Sequence, residues 1–123
     1  MVRQNVTNTP LQALNLMNDV QFLEAARVMA ERVIKEGGAN DEPRIAFAFR
    51  LATGRQPTAA ELKLLMGFFG FQRDAFRAKP DDARKYLNQG ERPRDERLDA
   101  TELAAYAALS SFILNLDETI TKQ

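Results

Sequence analysis

The stretch that decides the fold is LAAYAALSSFILNL, residues 103–116. It carries no charge, and besides the Tyr106 hydroxyl its only polar side chains are those of Ser110, Ser111 and Asn115. A surface helix needs one polar face, whereas a helix that is apolar nearly all round is buried. The stretch is also shorter than the roughly twenty residues that a membrane-spanning helix needs. We therefore predict that it is the central, buried helix of an all-α domain.

The residues before this stretch predict where the helix begins. Asp99-Ala-Thr-Glu102 has the spacing of a capping box, in which the first and fourth residues satisfy each other's backbone N–H groups. Four large apolar residues of the stretch are expected to be nearly inaccessible, each in contact with two or more other helices: Leu109, Phe112, Ile113 and Leu116.

The chain upstream is predicted to form further helices, each with a local start or stop signal. Capping boxes at Thr9–Gln12 and Thr58–Glu61 begin two of them, and Gly37-Gly38, Gly54 and Pro80 each end one. The predicted helices cover residues 10 to about 16, 18 or 19 to about 36, 41–53, 58 to about 78, and 83–87. We predict one domain, residues 1–123, built as a bundle of five to six helices around the buried C-terminal helix.

The predicted helix that begins at Thr58 is the longest, and its residues fall on three faces. The main apolar stripe consists of Leu62, Leu65, Met66, Phe69 and Phe76. A second apolar stripe consists of Leu64, Phe68 and Phe71. The remaining face holds Lys63, Gly67, Gly70, Asp74 and Arg77. We expect the aromatic residues to be core and the two glycines to serve packing; an apolar ligand pocket and a close partner helix are the alternatives.

Composition excludes several kinds of chemistry. The chain has no cysteine, so it contains no disulfide, thiolate metal site or covalent haem attachment. It has no histidine, which removes the commonest general base at neutral pH and the commonest transition-metal ligand. The formal net charge is zero, so there is no electrostatic reason to expect a nucleic-acid or anionic-membrane partner. We predict no cofactor, no bound metal, no nucleic acid and no membrane insertion.

No set of residues in the sequence predicts catalysis. Asp117 and Glu118 are adjacent, and neighbours on a helix point about 100° apart, so they do not form a carboxylate pair. The candidate site is instead a structural polar motif that caps helix ends or satisfies buried backbone groups, with ligand binding as the alternative. Its members are Thr9, Gln12, Asn15, Asn18, Asn115 and Asp117. We expect the N-terminal block to pack against the last helix.

Two further segments could have either a binding function or only a structural role. RLATGRQPTAAELKLL, residues 50–65, has the glycine turn and capped second helix of a helix-turn-helix motif. That second helix is apolar on two faces, which leaves little surface for a DNA groove, so we expect no DNA binding. The charged segment GERPRDER, residues 90–97, is either a docking patch or a solvated linker, and we expect the linker.

Three blocks of this sequence resemble a known family. TNTPLQAL at 7–14 continues as NLMNDVQFLEAA to residue 26, FRLATGRQPTAAEL lies at 49–62, and AAYAAL at 104–109 is followed by LNLDETITK at 114–122. These blocks resemble domain of unknown function fifteen fifty-three, the planctomycete cytochrome-associated C-terminal domain. The resemblance extends over nearly the whole chain, and the first and last blocks are specific.

The resemblance implies that the chain is the C-terminal portion of a larger, exported protein with a cytochrome c domain and a companion domain upstream. Met1 is then expected not to be the natural start, and the sequence from Met1 to Pro10 contains no apolar run of signal-peptide length. The family has no established catalytic residues to carry over. The haem-binding cysteines of the upstream region have no counterpart here, so no haem or redox function is expected for this piece.

The sequence therefore predicts a non-catalytic structural or interaction module that completes a larger exported multidomain protein. Its expected partners are the upstream domains of the same polypeptide. The alternative is a helical part of an enzyme active site shared with upstream residues, such as a hydrolase of extracellular polymers. A cluster of His, Asp or Glu in the upstream region would favour the alternative. The sequence predicts neither a ligand nor an oligomeric state.

Overall fold

A computed structural model describes the backbone of residues 20–88 and 95–121, and the side chains of residues 23–88 and 95–116. This part of the chain forms five helices and no strand: α1 (Val20–Glu36), α2 (Asp41–Thr53), α3 (Ala59–Ala78), α4 (Pro80–Leu87) and α5 (Ala100–Thr121). The all-α prediction is confirmed. The predicted short helix from residue 10 to about 16 lies outside the described residues.

Local signals fix most helix ends where the sequence predicts them. The Thr58 side chain accepts a hydrogen bond from the Glu61 N–H, and the Glu61 carboxylate accepts one from the Thr58 N–H, which completes the predicted capping box of α3. Gly54 ends α2 in the left-handed region at φ 81°, a conformation that glycine adopts without a steric penalty. The Asp99 carboxylate likewise accepts a hydrogen bond from the Glu102 N–H at the start of α5.

The predicted start of the short helix α4 was wrong by three residues. It begins at Pro80 rather than at Ala83. Pro80 ends α3 at Ala78, as predicted, but it also occupies the first position of the next helix. Proline is tolerated there because the first N–H groups of a helix have no intrahelical partner.

Helix α5 is the centre of the bundle. Every residue from Leu103 to Ser111 is buried, and each of the other four helices packs against α5. Many of these residues are alanine or serine, which lets the surrounding helices approach its axis on several sides. The large core side chains that pack with it include Val33, Ile45, Phe49, Leu65, Phe69 and Leu87. The predicted central helix is confirmed.

Two of the four predicted inaccessible residues of α5 are not fully buried. Leu109 and Ile113 are almost completely inaccessible, as predicted, but Phe112 is only partly buried and Leu116 is 36% exposed. Phe112 and Leu116 lie one turn apart on the same side of the helix, close to its C-terminal end. The ring of Phe112 stacks on one other ring, that of Phe68, at 4.5 Å between centroids. Their side of α5 is therefore less covered than the segment before it.

Helices α1 and α5 run antiparallel. Lys35, near the end of α1, forms an ion pair of 2.7 Å with Asp95, which lies shortly before α5 begins. The backbone N–H of Asp95 also donates to the Glu31 carboxylate at 2.8 Å. The polar face of α1 therefore holds the segment that leads into α5, and the first residues of α1 lie towards the C-terminal end of α5.

Arg27 is buried, although it lies on the same side of α1 as the charged residues Glu31 and Lys35. It is 3% exposed, and its Nη1 donates to the Leu87 carbonyl at 2.9 Å. Leu87 is the last residue of α4, where carbonyl groups lack intrahelical partners and a positive charge is favoured. The sequence pattern of α1 places Arg27 among charged residues, but this long-range contact decides its position.

Candidate functional site

The predicted structural polar motif is largely beyond the part of the chain that can be described. Asn115 is buried in α5, at 7% exposure. The other members lie outside the described residues, or outside the described side chains in the case of Asp117: Thr9, Gln12, Asn15, Asn18 and Asp117. The expected packing of the N-terminal block against the last helix therefore stays a prediction.

A polar cluster that the sequence analysis missed joins α2, α3 and α5. The Tyr106 hydroxyl donates to Oδ1 of Asp41 at 2.5 Å, and Nη1 of Arg73 donates to Oδ2 at 2.6 Å. The guanidinium of Arg44 lies over the Tyr106 ring at 5.7 Å, and that of Arg73 lies over the Phe69 ring at 5.0 Å. One carboxylate thus connects three helices.

The electrostatics of this cluster favour an ionised Asp41. Burial alone would raise the pKa of Asp41, but hydrogen bonds from Tyr106 and Arg73 and the positive charges of Arg73 and Arg44 outweigh it and lower the pKa. Burial, followed by the hydrogen bond to Asp41, raises the pKa of Tyr106. Both carboxylate oxygens already accept hydrogen bonds, so the cluster acts as a structural clamp. Its sequence signal was the Tyr106 hydroxyl, which needs an acceptor inside an apolar helix.

The turn between α2 and α3 uses its polar residues internally. Arg55 forms two hydrogen bonds to the Glu61 carboxylate, at 2.8 and 2.9 Å, and its guanidinium lies over the Phe49 ring at 4.9 Å. The hydrogen bond from Arg55, together with that from the Thr58 N–H, lowers the pKa of Glu61 to about 2. In the turn of the candidate helix-turn-helix motif, the positive charge of Arg55 is thus paired with Glu61 and not left free for a phosphate. The absence of DNA binding remains a prediction.

A shallow cleft lies between the end of α1 and α2. It has a volume of about 350 Å³ and is lined by Glu36, Gly37, Pro43, Ala46, Phe47, Arg50 and Gln56. The guanidinium of Arg50 lies over the Phe47 ring at 5.6 Å. The cleft contains one phenylalanine and no pair of ionisable groups at hydrogen-bond distance, so we assign it no chemistry.

No group of three or more His, Cys, Asp or Glu side chains in the described part of the chain could hold a metal ion. No helix among the described residues is both long enough and apolar enough to cross a membrane.

The open face of α3 is the candidate functional surface. It consists of Lys63, Leu64, Gly67, Gly70, Phe71 and Asp74. Leu64 is 64% exposed and Phe71 is 71% exposed. They are seven residues apart and therefore lie on the same side of the helix. A methyl group added at Gly67 or Gly70 would meet no atom of the described structure within 4 Å.

This surface changes the interpretation of the second apolar stripe. Of its three members, only Phe68 turns towards the bundle, where it stacks on Phe112. Leu64 and Phe71 face solvent instead of the core. The expected packing of Gly67 and Gly70 against a neighbouring helix is not seen within the described residues. Between Lys63 and Asp74 the face is apolar and smooth, and no described residue covers it.

The described residues form an all-α domain in which one helix face with two large apolar side chains is exposed. The chain belongs to the family described as protein of unknown function (DUF1553), PSD1, whose family model matches residues 1–69. This is the family that the sequence resembles. The first two resembling blocks lie inside the matched range, and the closing block at 104–122 lies outside it. A search of curated proteins found no match, and a search of solved structures found none either.

Proposed function

We propose that the chain is a non-catalytic structural and interaction module that completes a larger exported multidomain protein. One observation carries the proposal: Leu64 and Phe71 stand in solvent on the open face of α3. Large apolar side chains exposed on the same side of one helix favour a protein-interaction site. The glycines between these two residues keep the face smooth, so another backbone can approach it closely.

The way the domain uses its ionisable groups supports a binding role over a catalytic one. A catalytic acid or base needs a proton that it can exchange with a substrate in a cleft. The Asp41 carboxylate is engaged by Tyr106 and Arg73, and the Glu61 carboxylate by Arg55. These groups hold helices together, whereas the uncovered surface is apolar.

The proposal that the chain belongs to a larger exported protein rests on the family. Membership gives a domain of unknown function and no activity. Export, and the upstream domains of the same polypeptide as partners, come from the resemblance described above. The alternative, a helical part of an enzyme active site shared with upstream residues, requires ionisable groups from outside this chain to meet a cluster within it. The proposal requires only that the open face becomes covered.

Hydroxyl-radical footprinting tests this directly, because it reports the solvent exposure of individual side chains. The 123-residue chain is labelled at high dilution and compared with the longer polypeptide that carries the upstream region. We expect Leu64 and Phe71 to react strongly in the diluted chain and to be protected in the assembled protein. Phe47, which is half-buried on α2, is the control and should react equally in both.

The concentration dependence of the result separates the outcomes. Protection that persists on dilution of the longer polypeptide indicates an upstream domain of the same molecule. Protection that appears only as concentration rises indicates association between molecules. Equal reactivity of Phe71 in every sample would contradict the proposed interaction role.

A further inference from the structure

The charged residues of α3 fall into two groups. Three of them form ion pairs with other parts of the fold: Glu61 with Arg55, Arg73 with Asp41, and Arg77 with Glu102. The other two, Lys63 and Asp74, are exposed and form no ion pair within the described part of the chain. The two charged residues of α3 that form no ion pair within the described residues therefore both lie on its open face.

The positions of these two charges are symmetric about the glycines. Lys63 precedes Gly67 by one turn, and Asp74 follows Gly70 by one turn. The order along the face is positive, apolar, glycine, glycine, apolar, negative. A 180° rotation about the midpoint between the two glycines brings Asp74 to the position of Lys63, and Lys63 to the position of Asp74. The face is therefore complementary to a second copy of itself.

We propose that the open face of α3 binds the same face of a second copy of this chain in an antiparallel, two-fold symmetric dimer. Lys63 of each protomer then faces the partner's Asp74, and Gly67 faces the partner's Gly70. Such an interface is isologous, because each contact occurs twice. Leu64 and Phe71 lie beside the glycine contact and cover each other across it. This inference rests on the proposed interaction role of the same face.

The charge arrangement is the argument for a second copy over another partner. An apolar groove on an unrelated protein would not require opposite charges at equal offsets from the glycines. Two interior glycines also cost about 1 kcal/mol each against alanine in a helix, and close contact between backbones explains their use. Because α3 is about 30 Å long, one helix pair falls at the small end of the range for stable interfaces. A reversible, concentration-dependent dimer is expected.

A charge exchange provides the test, by sedimentation equilibrium of the 123-residue chain over a concentration series. Lys63→Glu and Asp74→Lys each place like charges opposite each other twice per dimer, and each should raise the dimer dissociation constant about tenfold or more. The double variant Lys63→Glu/Asp74→Lys restores both pairs with reversed polarity and should return to within about threefold of the unmodified chain. Lys79→Glu, at the C-cap of α3 and about 160° around the helix from Lys63, is the matched control and should have no effect.

The orientation has its own test, since the chain contains no cysteine and a single one can be labelled specifically. Ala60→Cys carries a spin label on the exposed side of α3. In the antiparallel dimer the two labelled positions are separated by about 25 Å along the helix axis, whereas parallel pairing would place them side by side. Pulsed dipolar spectroscopy measures this distance.

Each outcome decides the inference. Dimers weakened by both single charge reversals and restored by the double variant support it, as does the longer label distance. A chain that stays monomeric at all concentrations overturns it, and so does a double variant that fails to dimerise. If Phe71 is protected in the longer polypeptide independently of concentration while the chain stays monomeric, the interaction role holds and the second copy is wrong.

Discussion

Helices α3 and α5 are the two longest in the described chain, and they show how similar apolar content leads to different roles. α5 has 22 residues and is enclosed on all sides through most of its apolar run. α3 has 20 residues and two apolar stripes, but only one of them is fully used by the bundle. The difference lies in the neighbours: four helices surround α5, whereas α3 is on the outside. A peripheral helix that keeps large apolar side chains in solvent has a surface available for association.

The largest expected change in unfolding free energy comes from shortening a buried leucine of α5, and the matched change on the open face of α3 should be small. Leu109→Ala leaves a cavity in the core, because Leu109 is completely inaccessible, and should reduce the free energy of unfolding by about 2–5 kcal/mol. Leu64→Ala is the same substitution at a residue that is 64% exposed and should cost about 0.5 kcal/mol or less. Urea unfolding at high dilution measures both. Equal losses for the two variants would remove the distinction between the helices.

The next largest loss of stability is expected in the clamp of Asp41, Tyr106 and Arg73, which joins α2, α3 and α5. Asp41→Asn weakens the hydrogen bonds from Tyr106 and Arg73 and should cost about 1–3 kcal/mol at neutral pH. Because the folded-state pKa of Asp41 is lowered, its contribution is present above the unfolded-state pKa and is lost as the pH falls through the folded-state pKa. The difference between the two proteins in urea unfolding should therefore shrink below about pH 4.

The control for this prediction is the same substitution on the open face. Asp74 is exposed and forms no ion pair within the described part of the chain, so Asp74→Asn should change stability by about 0.5 kcal/mol or less at high dilution. A cost for Asp41→Asn that stays constant down to about pH 2 would show that the charge of Asp41 contributes nothing.

Capping gives a smaller effect and tests whether the exposed α3 depends on local signals. Thr58→Ala removes the side-chain acceptor for the Glu61 N–H and should cost about 1 kcal/mol. Thr58→Ser keeps an acceptor and should retain most of the stability. Thermal unfolding of the two variants measures the difference. If serine and alanine are equivalent at this position, the hydrogen bond of the capping box is not what holds the start of α3.

The smallest effect has the opposite sign. Gly67→Ala should stabilise the isolated domain by up to about 1 kcal/mol, because alanine favours the helix and no described atom lies where the added methyl group would be. The same variant should weaken self-association, since the methyl group separates the two backbones. A destabilised monomer would instead place another part of the chain against Gly67.

Local signals made much of the fold predictable from the sequence. The absence of a polar face predicted the buried α5, and capping residues, glycines and Pro80 predicted most helix ends. The burial of Phe112 and Leu116 was wrongly predicted, because the composition of a helix does not show how far its neighbours extend along it. The position of Arg27 was missed for a similar reason: its partner, the Leu87 carbonyl, is 60 residues away in the sequence.

The candidate surface was only half predictable. The sequence shows two apolar stripes and two glycines on the long helix, but periodicity alone does not decide which stripe a bundle covers. The partners of Asp41 are similarly hidden, because Tyr106 lies 65 residues later. Residue spacing does, however, show that Lys63 and Asp74 are symmetric about the glycines. The structure adds two facts. Leu64 and Phe71 on this face are exposed, and Lys63 and Asp74 form no ion pair within the described residues.

The most direct test of the central claim measures folding and association in one variant, Leu64→Ser/Phe71→Ser. If the open face of α3 serves association and not the domain's own core, this variant should unfold at the same urea concentration as the unmodified chain at high dilution. It should also stay monomeric in sedimentation equilibrium at concentrations where the unmodified chain dimerises. A fall in unfolding free energy comparable to that of Leu109→Ala would contradict the account, as would unchanged association.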